Sequence, residues 1–232
     1  MTYNDLTIAT VNFMTPKYID VLRRSLYKTN PWYLGDLYVY DNGTTKTLPQ
    51  GRINGLSVQH ISETLYEEFL KMPICNDPGC RNYASAKHAK TLQYIIDTAN
   101  TNYLLILDSD VIFTDSFERL YTIFHKSNSV MCGFIKKPNG YADRIAPWCT
   151  FLNLNLIKQL GLRYYDQSRI LYVNGNSRDD TGASILADCR ERQYPIIELP
   201  RDNMFYFHYK GGSYSDPNLV NQWIKKYSKF WE

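Results

Sequence analysis

The sequence predicts an α/β fold, with a mostly parallel central sheet flanked by helices. Three observations carry this expectation. Strand-like and helix-like runs alternate in the order that builds βαβ units. The run Tyr103–Leu107 is apolar on both faces, as in a central strand covered by helices. The chain has 232 residues, 44% of them hydrophobic and 21% charged, which is enough to bury one good core.

The elements follow in order. Leu6–Phe13 is a short β-rich run, and Tyr18–Tyr27 is helical with Ile19, Leu22 and Leu26 on one face. Asp36–Tyr40 is a second strand, stopped by the turn chemistry of Asp41-Asn42-Gly43, and Leu56–Ile61 is a third. A Pro/Gly/Asn/Asp loop covers Pro73–Gly79, and a helix follows from Asn82 to Ala99 before the strand Tyr103–Leu107. Beyond Asp110 come a helix (Ser116–His125), a strand (Val130–Ile135), a loop (Lys136–Pro147) and a strand-to-helix unit (Trp148–Leu160). A helix over Ala183–Arg192 and strands near Ile196–Leu199 and Met204–Tyr209 precede a polar, aromatic tail. We read one domain over 1–232, with a nucleotide-binding half (1–110), a half built for a different ligand (111–215) and a C-terminal tail (216–232).

Composition narrows the function. Lys and Arg number 26 against 23 Asp and Glu, so the net charge of +3 gives no electrostatic reason to expect nucleic acid or a membrane surface as partner. Five scattered cysteines (Cys75, Cys80, Cys132, Cys149, Cys189) do not make a disulfide scaffold and point to a reduced, cytoplasmic protein. Cys75 and Cys80 lack the second Cys/His pair that a zinc site needs. The N-terminal stretch lacks the pattern of a signal peptide, and no apolar run approaches the ~20 residues of a membrane span.

The sharpest chemical signal is Leu104-Leu105-Ile106-Leu107-Asp108-Ser109-Asp110-Val111. In an extended chain residues i and i+2 share a face, so Asp108 and Asp110 can address one ion. They stand at the carboxyl end of a buried strand, where open α/β sheets bind ligands. Two carboxylates without a soft ligand suit Mg²⁺ or Mn²⁺. The bland alternative is a polar strand end or a helix cap, which sits poorly beside so apolar a run.

Four pieces in order now show a resemblance: the first strand TIATVNF, the second strand with its acid LYVYDNG, the motif LLILDSDV, and the late pair RDDTG and HYKGGS. Together they resemble glycosyltransferases of the GT-A fold, most closely the inverting family 2 type, over Leu6 to about Ser213. The resemblance implies that Asp41 reads a base or ribose edge, in a pocket that Thr10, Val11 and Asn12 line at the end of the first strand. Asp41-Asn42-Gly43 is also strong turn chemistry, and both roles can hold together. Arg81, Ser85 and His88, at the start of the next helix, are expected near the nucleotide, although a solvated helix start explains them equally well. Ser109, between the two acids, belongs to the same donor site.

Asp180, with Asp179 beside it, is implied as the general base that takes the acceptor's proton. The alternative is an N-cap for the next helix, whose dipole would in any case weaken the base. His208 is implied as a third metal ligand, although a lone histidine in an aromatic strand is more often a core residue. Lys210, Gly211 and Ser213 are expected at the pyrophosphate, and an imidazole among oxygen ligands favours Mn²⁺ over Mg²⁺. Trp148 and Gly182 are expected beside the acceptor.

The expected function is metal-dependent transfer of a sugar from a nucleotide-diphosphate sugar (UDP- or GDP-linked) to a hydroxyl of a glycan or other acceptor. Asp180 is the one residue that argues for inversion, since Asp-x-Asp with His also serves retaining enzymes. Either Lys136–Pro147 or Pro73–Gly79 is a candidate lid over the donor. Two other classes stay open. Asp-x-Asp-Val after an apolar strand also looks like the nucleophile motif of haloacid-dehalogenase-type phosphatases, with Asp108 as nucleophile. A binding module for nucleotide sugars that has lost catalysis is the non-enzyme reading.

Overall fold

Alternation decides how this sheet is covered. In the computed structural model, which describes residues 5–70, 83–138, 142–166, 180–200, 205–209 and 216–232, ten strands form. They are β1 (Leu6–Asn12), β2 (Leu37–Asp41), β3 (Gly51–Ile53), β4 (Leu56–His60), β5 (Tyr103–Asp108), β6 (Val111–Phe113), β7 (Met131–Lys136), β8 (Arg144–Asn153), β9 (Ile196–Glu198) and β10 (Tyr206–His208). Ile8, Leu105 and Leu107 pack into one core, and Ala9, Val11, Leu104 and Ile106 into the other. Successive residues of β1 and β5 thus feed opposite faces, as period-2 geometry requires.

Eight strands form one sheet in the order β3-β4-β2-β1-β5-β8-β7-β9, and β10 and β6 form a separate ribbon. Four of the seven pairings in the large sheet are parallel: β1 with β2, β1 with β5, β2 with β4, and β7 with β9. The remaining three are antiparallel, so β3 and β8 run against the other six strands. The mostly parallel α/β class expected from the sequence is the one observed.

Helix α1 (Pro16–Thr29) lies over the face of Ile8 and Leu107 and buries Tyr18, Ile19, Val21, Leu22 and Leu26. Pro16 starts it at a position where a missing N–H costs nothing. At its end the buried Asn30 accepts hydrogen bonds from Phe117 N (2.9 Å) and Ser116 Oγ (3.2 Å), which tie α1 to α4 (Glu118–Lys126). The opposite face carries α3 (Tyr83–Thr98), α5 (Leu154–Leu160) and α6 (Ala183–Glu191), whose buried Leu92, Ile157 and Ile185 share a core with Leu104 and Ile106. Asn153 caps α5 through Leu156 N at 3.2 Å, and Gly161 ends it at φ +64°. A short α2 (Glu67–Leu70) precedes α3.

Three elements differ from the sequence expectation. The segment Gly51–Ile53 is a strand, exposed at all three residues, so hydrophobic alternation gave it no signal. Val111–Phe113, which the sequence assigned to no element, is a strand because it pairs with β10. The aromatic tail contains α7 (Pro217–Tyr227), with Asp216 accepting from Asn218 N at 2.8 Å and Pro at the first turn. Its Trp223 lies against Tyr18 and Tyr209, with ring centroids 5.6 and 4.9 Å away. Residues 73–79 and 139–141 of the two candidate lids lie outside the described residues, while Arg144–Pro147 of the second belongs to β8. Among the described residues no helix is long and apolar enough to cross a membrane.

Candidate active site

Asp108 ends β5 on the same face as Leu104 and Ile106, which brings it towards α3. His88 Nε2 of α3 lies 3.8 Å from its Oδ1. Residues 109 and 110 are a turn between β5 and β6, so Asp110 reaches the same point as Asp108 through that turn and not through strand alternation. The β6–β10 ribbon supplies the third group. Val111 pairs with His208, and Tyr209 N donates to Asp110 O at 3.0 Å. His208 Nε2 then stands 3.0 Å from Asp110 Oδ1 and 3.4 Å from Asp108 Oδ2. Ligand atoms of Asp108, Asp110 and His208 all lie within 4.8 Å of one another, which fits the chemistry of a hard divalent cation.

Electrostatics agree with the geometry. Burial alone would lower the His208 imidazole, but hydrogen bonds with Asp108 and Asp110 and the charges of both acids raise it to about 9. Burial alone would raise the Asp108 carboxyl, and the His208 hydrogen bond with the charges of His88, His208 and Arg144 holds it below its ordinary value. His88 is depressed by burial, against the pull of Asp108 and Asp110. In the metal-free protein the His208 charge stabilises the fold below its ordinary 6.5, a contribution lost as pH rises through about 9. A bound cation takes the neutral imidazole and expels the proton. Mn²⁺ is therefore expected to bind more tightly as pH rises from 6.5 towards about 9, by up to about tenfold per unit, read from the free Mn²⁺ resonance signal. A flat profile would remove His208 from the ligand set.

At the tip of β1 and β2 the side chains form a connected chain. Ser109 Oγ lies 3.2 Å from Thr15 Oγ1, which donates to Asn12 Oδ1 at 3.1 Å. Asn12 Nδ2 donates to Asp41 Oδ2 and to Thr47 Oγ1, both at 3.0 Å. Asp41 also accepts from Gly43 N (3.0 Å) and Thr47 N (3.2 Å) and is fully buried. Its carboxylate therefore organises the turn. Thr10 and Val11 sit deeper in the sheet, Thr10 with a buried and unpartnered hydroxyl and Val11 in the α3-side core. Thr15 went unread in the sequence, where only its place before Pro16 could have marked it.

Asp180 is tied to the site through Arg144, whose charge also bears on Asp108. Arg144, at the first residue of β8, forms an ion pair with it through Nη1 and Oδ2, the two side chains being 13% and 25% exposed. An ionised carboxylate at that depth needs such a partner. Gly182, not an acid, caps α6, and it does so at φ +88°. A Cβ there would overlap the Ile145 carbonyl oxygen, while Ile145 N donates to Gly182 O at 3.3 Å. Thr181 Oγ1 donates to Ser85 O at 3.2 Å, joining this loop to the start of α3. Arg144 went unread because an isolated arginine in a Pro/Gly/Asn-rich stretch carries no pattern.

Trp148 is half-buried on β8, its indole stacked on His208 with centroids 4.8 Å apart. Arg81, Asp179, Lys210, Gly211 and Ser213 lie outside the described residues. The structure thus gathers Asp108, Asp110, His208 and His88 at one point, with Ser109 linked through Thr15 and Asn12 to Asp41, and with Asp180 joined to Arg144.

The sequence matches no protein-family model, and none of the curated proteins matches it. Solved structures do resemble it. A glycosyltransferase involved in the glycosylation of the major capsid of PBCV-1 superposes with a TM-score of 0.52 at 11% identity, covering 95% of this chain and 98% of its own. Residues 1–349 of S. aureus TarS give 0.53 at 14% identity, covering 88% of this chain and 60% of that one. The glycosyltransferase GlyE of Streptococcus pneumoniae TIGR4 gives 0.51 at 12% identity, covering 96% and 64%. The fold is GT-A. A putative glucose-1-phosphate thymidylyltransferase from Bacillus anthracis also superposes, with 0.51 at 10% identity over 95% of each chain. Likeness at these identities speaks for the GT-A sheet alone, and this chain spans less than two thirds of the TarS and GlyE structures. The activity has to be argued from the site.

Proposed function

We propose that the chain is a glycosyltransferase that moves a sugar from a UDP- or GDP-sugar to a hydroxyl of a glycan or other acceptor. The observation that carries this reading is the convergence of Asp108, Asp110 and His208 at the carboxyl end of β5 in a GT-A fold. These three residues would hold a divalent cation, Mn²⁺ in preference to Mg²⁺ because one ligand is an imidazole. When bound, the cation neutralises charge gathering on the departing nucleoside diphosphate.

The remaining steps belong to the chain's own groups. The network from Ser109 through Thr15 and Asn12 to Asp41 fixes the tips of β1 and β2 beside the nucleoside end of the donor. His88 and Ser85 stand at the start of α3, on the same side as Asp108. Asp180 takes the proton from the acceptor hydroxyl as its oxygen bonds to the anomeric carbon. The bond to the diphosphate breaks on the opposite side, so the anomeric configuration inverts. Arg144 keeps the Asp180 carboxylate in place while the acceptor enters.

Thermal melting with nucleoside diphosphates and nucleotide sugars, each with and without Mn²⁺, tests this. A ligand at about 100 times its Kd adds about 2.7 kcal/mol, which moves the midpoint visibly. The expected result is a shift with one nucleotide class that requires the metal. No shift with any nucleotide would sink the reading and turn attention to phosphoaspartate trapping at Asp108.

A further inference from the structure

Trp148 occupies the seam between the eight-stranded sheet and the β6–β10 ribbon. Its indole stacks on the His208 imidazole, with centroids 4.8 Å apart and planes 17° from parallel. Phe134 of β7 stacks on the same indole at 6.0 Å and 30°, and the Lys136 ammonium lies over it at 5.8 Å. Trp148 Nε1–H donates to Tyr206 Oη at 3.0 Å, two residues before His208 on the same strand. One side chain therefore grips both the ring of His208 and the strand that bears it.

Among the described residues, the ring of His208 is held by stacking and not by a side-chain or backbone anchor on Nδ1. A histidine that binds metal ordinarily has its ring fixed by a hydrogen bond from the other nitrogen to a carboxylate, a carbonyl or water. Among the described residues no protein group hydrogen-bonds the buried Nδ1, while Nε2 faces Asp108 and Asp110. The stacked indole is the protein contact that sets the imidazole plane. We propose that Trp148 is the positioning residue of the cation site, holding the His208 ring so that Nε2 meets the two carboxylates. This role stands beside the place at the acceptor that the sequence suggested for Trp148. It rests on Asp108, Asp110 and His208 being a cation site, and is independent of which reaction follows.

Mn²⁺ titration of the whole chain, followed by the resonance signal of the free ion, tests the assignment together with thermal melting. Trp148→Phe keeps a ring face and is expected to bind Mn²⁺ within about threefold of the parent. Trp148→Leu removes it and is expected to weaken binding about tenfold or more, the range seen when an outer anchor of a metal ligand is lost. Phe134→Leu removes a ring from the same stack without touching His208 or Tyr206, and is expected to bind as the parent does. If Trp148→Leu does not melt cooperatively, Trp148→Met takes its place with the same expectation. A folded leucine or methionine variant that binds Mn²⁺ as tightly as the parent overturns the proposal. So does a Phe134→Leu variant that loses as much affinity as Trp148→Leu, because packing alone would then explain both. A parent that binds no Mn²⁺ overturns the cation site and this role with it. Mn²⁺ binding that depends on Trp148 in a chain without sugar transfer would leave the role standing and remove only the reaction.

Discussion

Asp110→Asn is expected to abolish measurable Mn²⁺ binding and to lower sugar transfer by about a thousandfold or more. The Asp110 side chain is 8% exposed, and its Oδ1 lies 3.0 Å from His208 Nε2. The amide keeps the shape and one acceptor oxygen but removes one of the two negative charges that face the ion. A Lewis-acid contribution of about 4 kcal/mol to the transition state corresponds to about three powers of ten in rate. Single-turnover transfer with and without a chelator, paired with Mn²⁺ titration, checks both halves. Transfer that survives the substitution and the chelator together would mean that the diphosphate is neutralised by some other group. The metal-free variant is expected to stay folded, since one of two neighbouring carboxylates has gone.

Gly182→Ala is expected to have the largest effect on stability of any single methyl addition near the site. The residue sits at φ +88°, and its new Cβ would overlap the Ile145 carbonyl oxygen and lie 3.1 Å from Tyr164 Oη. The strained backbone and the forced shift of β8 together cost about 4 kcal/mol. At about 2–4 °C per kcal/mol, Tm falls by about 8–16 °C. Gly161 provides the contrast, with φ +64° but open space around its Cβ, so Gly161→Ala should cost only about 1–2 kcal/mol. Because Gly182 holds the Asp180 loop against β8, the folded fraction of Gly182→Ala should lose transfer while still binding Mn²⁺. Equal melting of the two alanine variants would show that the approach to Ile145 does not matter.

Much of this fold was legible because β1 and β5 are buried on both faces and the helices between them carry clear apolar stripes. The eight-residue run ending in Asp108-Ser109-Asp110-Val111 marked its own position at a strand end. What was illegible depended on partners far away in the chain. Gly51–Ile53 becomes a strand only by pairing with β4, and Val111–Phe113 only by pairing with β10. The convergence of Asp108 and Asp110 was expected from strand alternation, whereas a turn and the late ribbon produce it. Arg144 offers no local pattern, and its importance exists only once the Asp180 loop returns to β8. The Asp216-Pro217 start of α7 was readable as a cap followed by a first-turn proline, and the aromatic content of the stretch obscured it.

The pairing of Val111 with His208 also has a consequence in time. A ribosome delivers residues in order, so β1, β2, β4 and β5 can begin to assemble once Asp108 has emerged. The two carboxylates must then wait for His208, which comes on a later strand. Until it arrives, the nascent chain holds two carboxylates without their histidine and a β6 without its β10 partner, the kind of bare edge that invites wrong pairing. The cluster of Asp108, Asp110 and His208 is thus complete only after β10 has emerged, and a stall in translation before Tyr206 would leave a largely built sheet without its histidine.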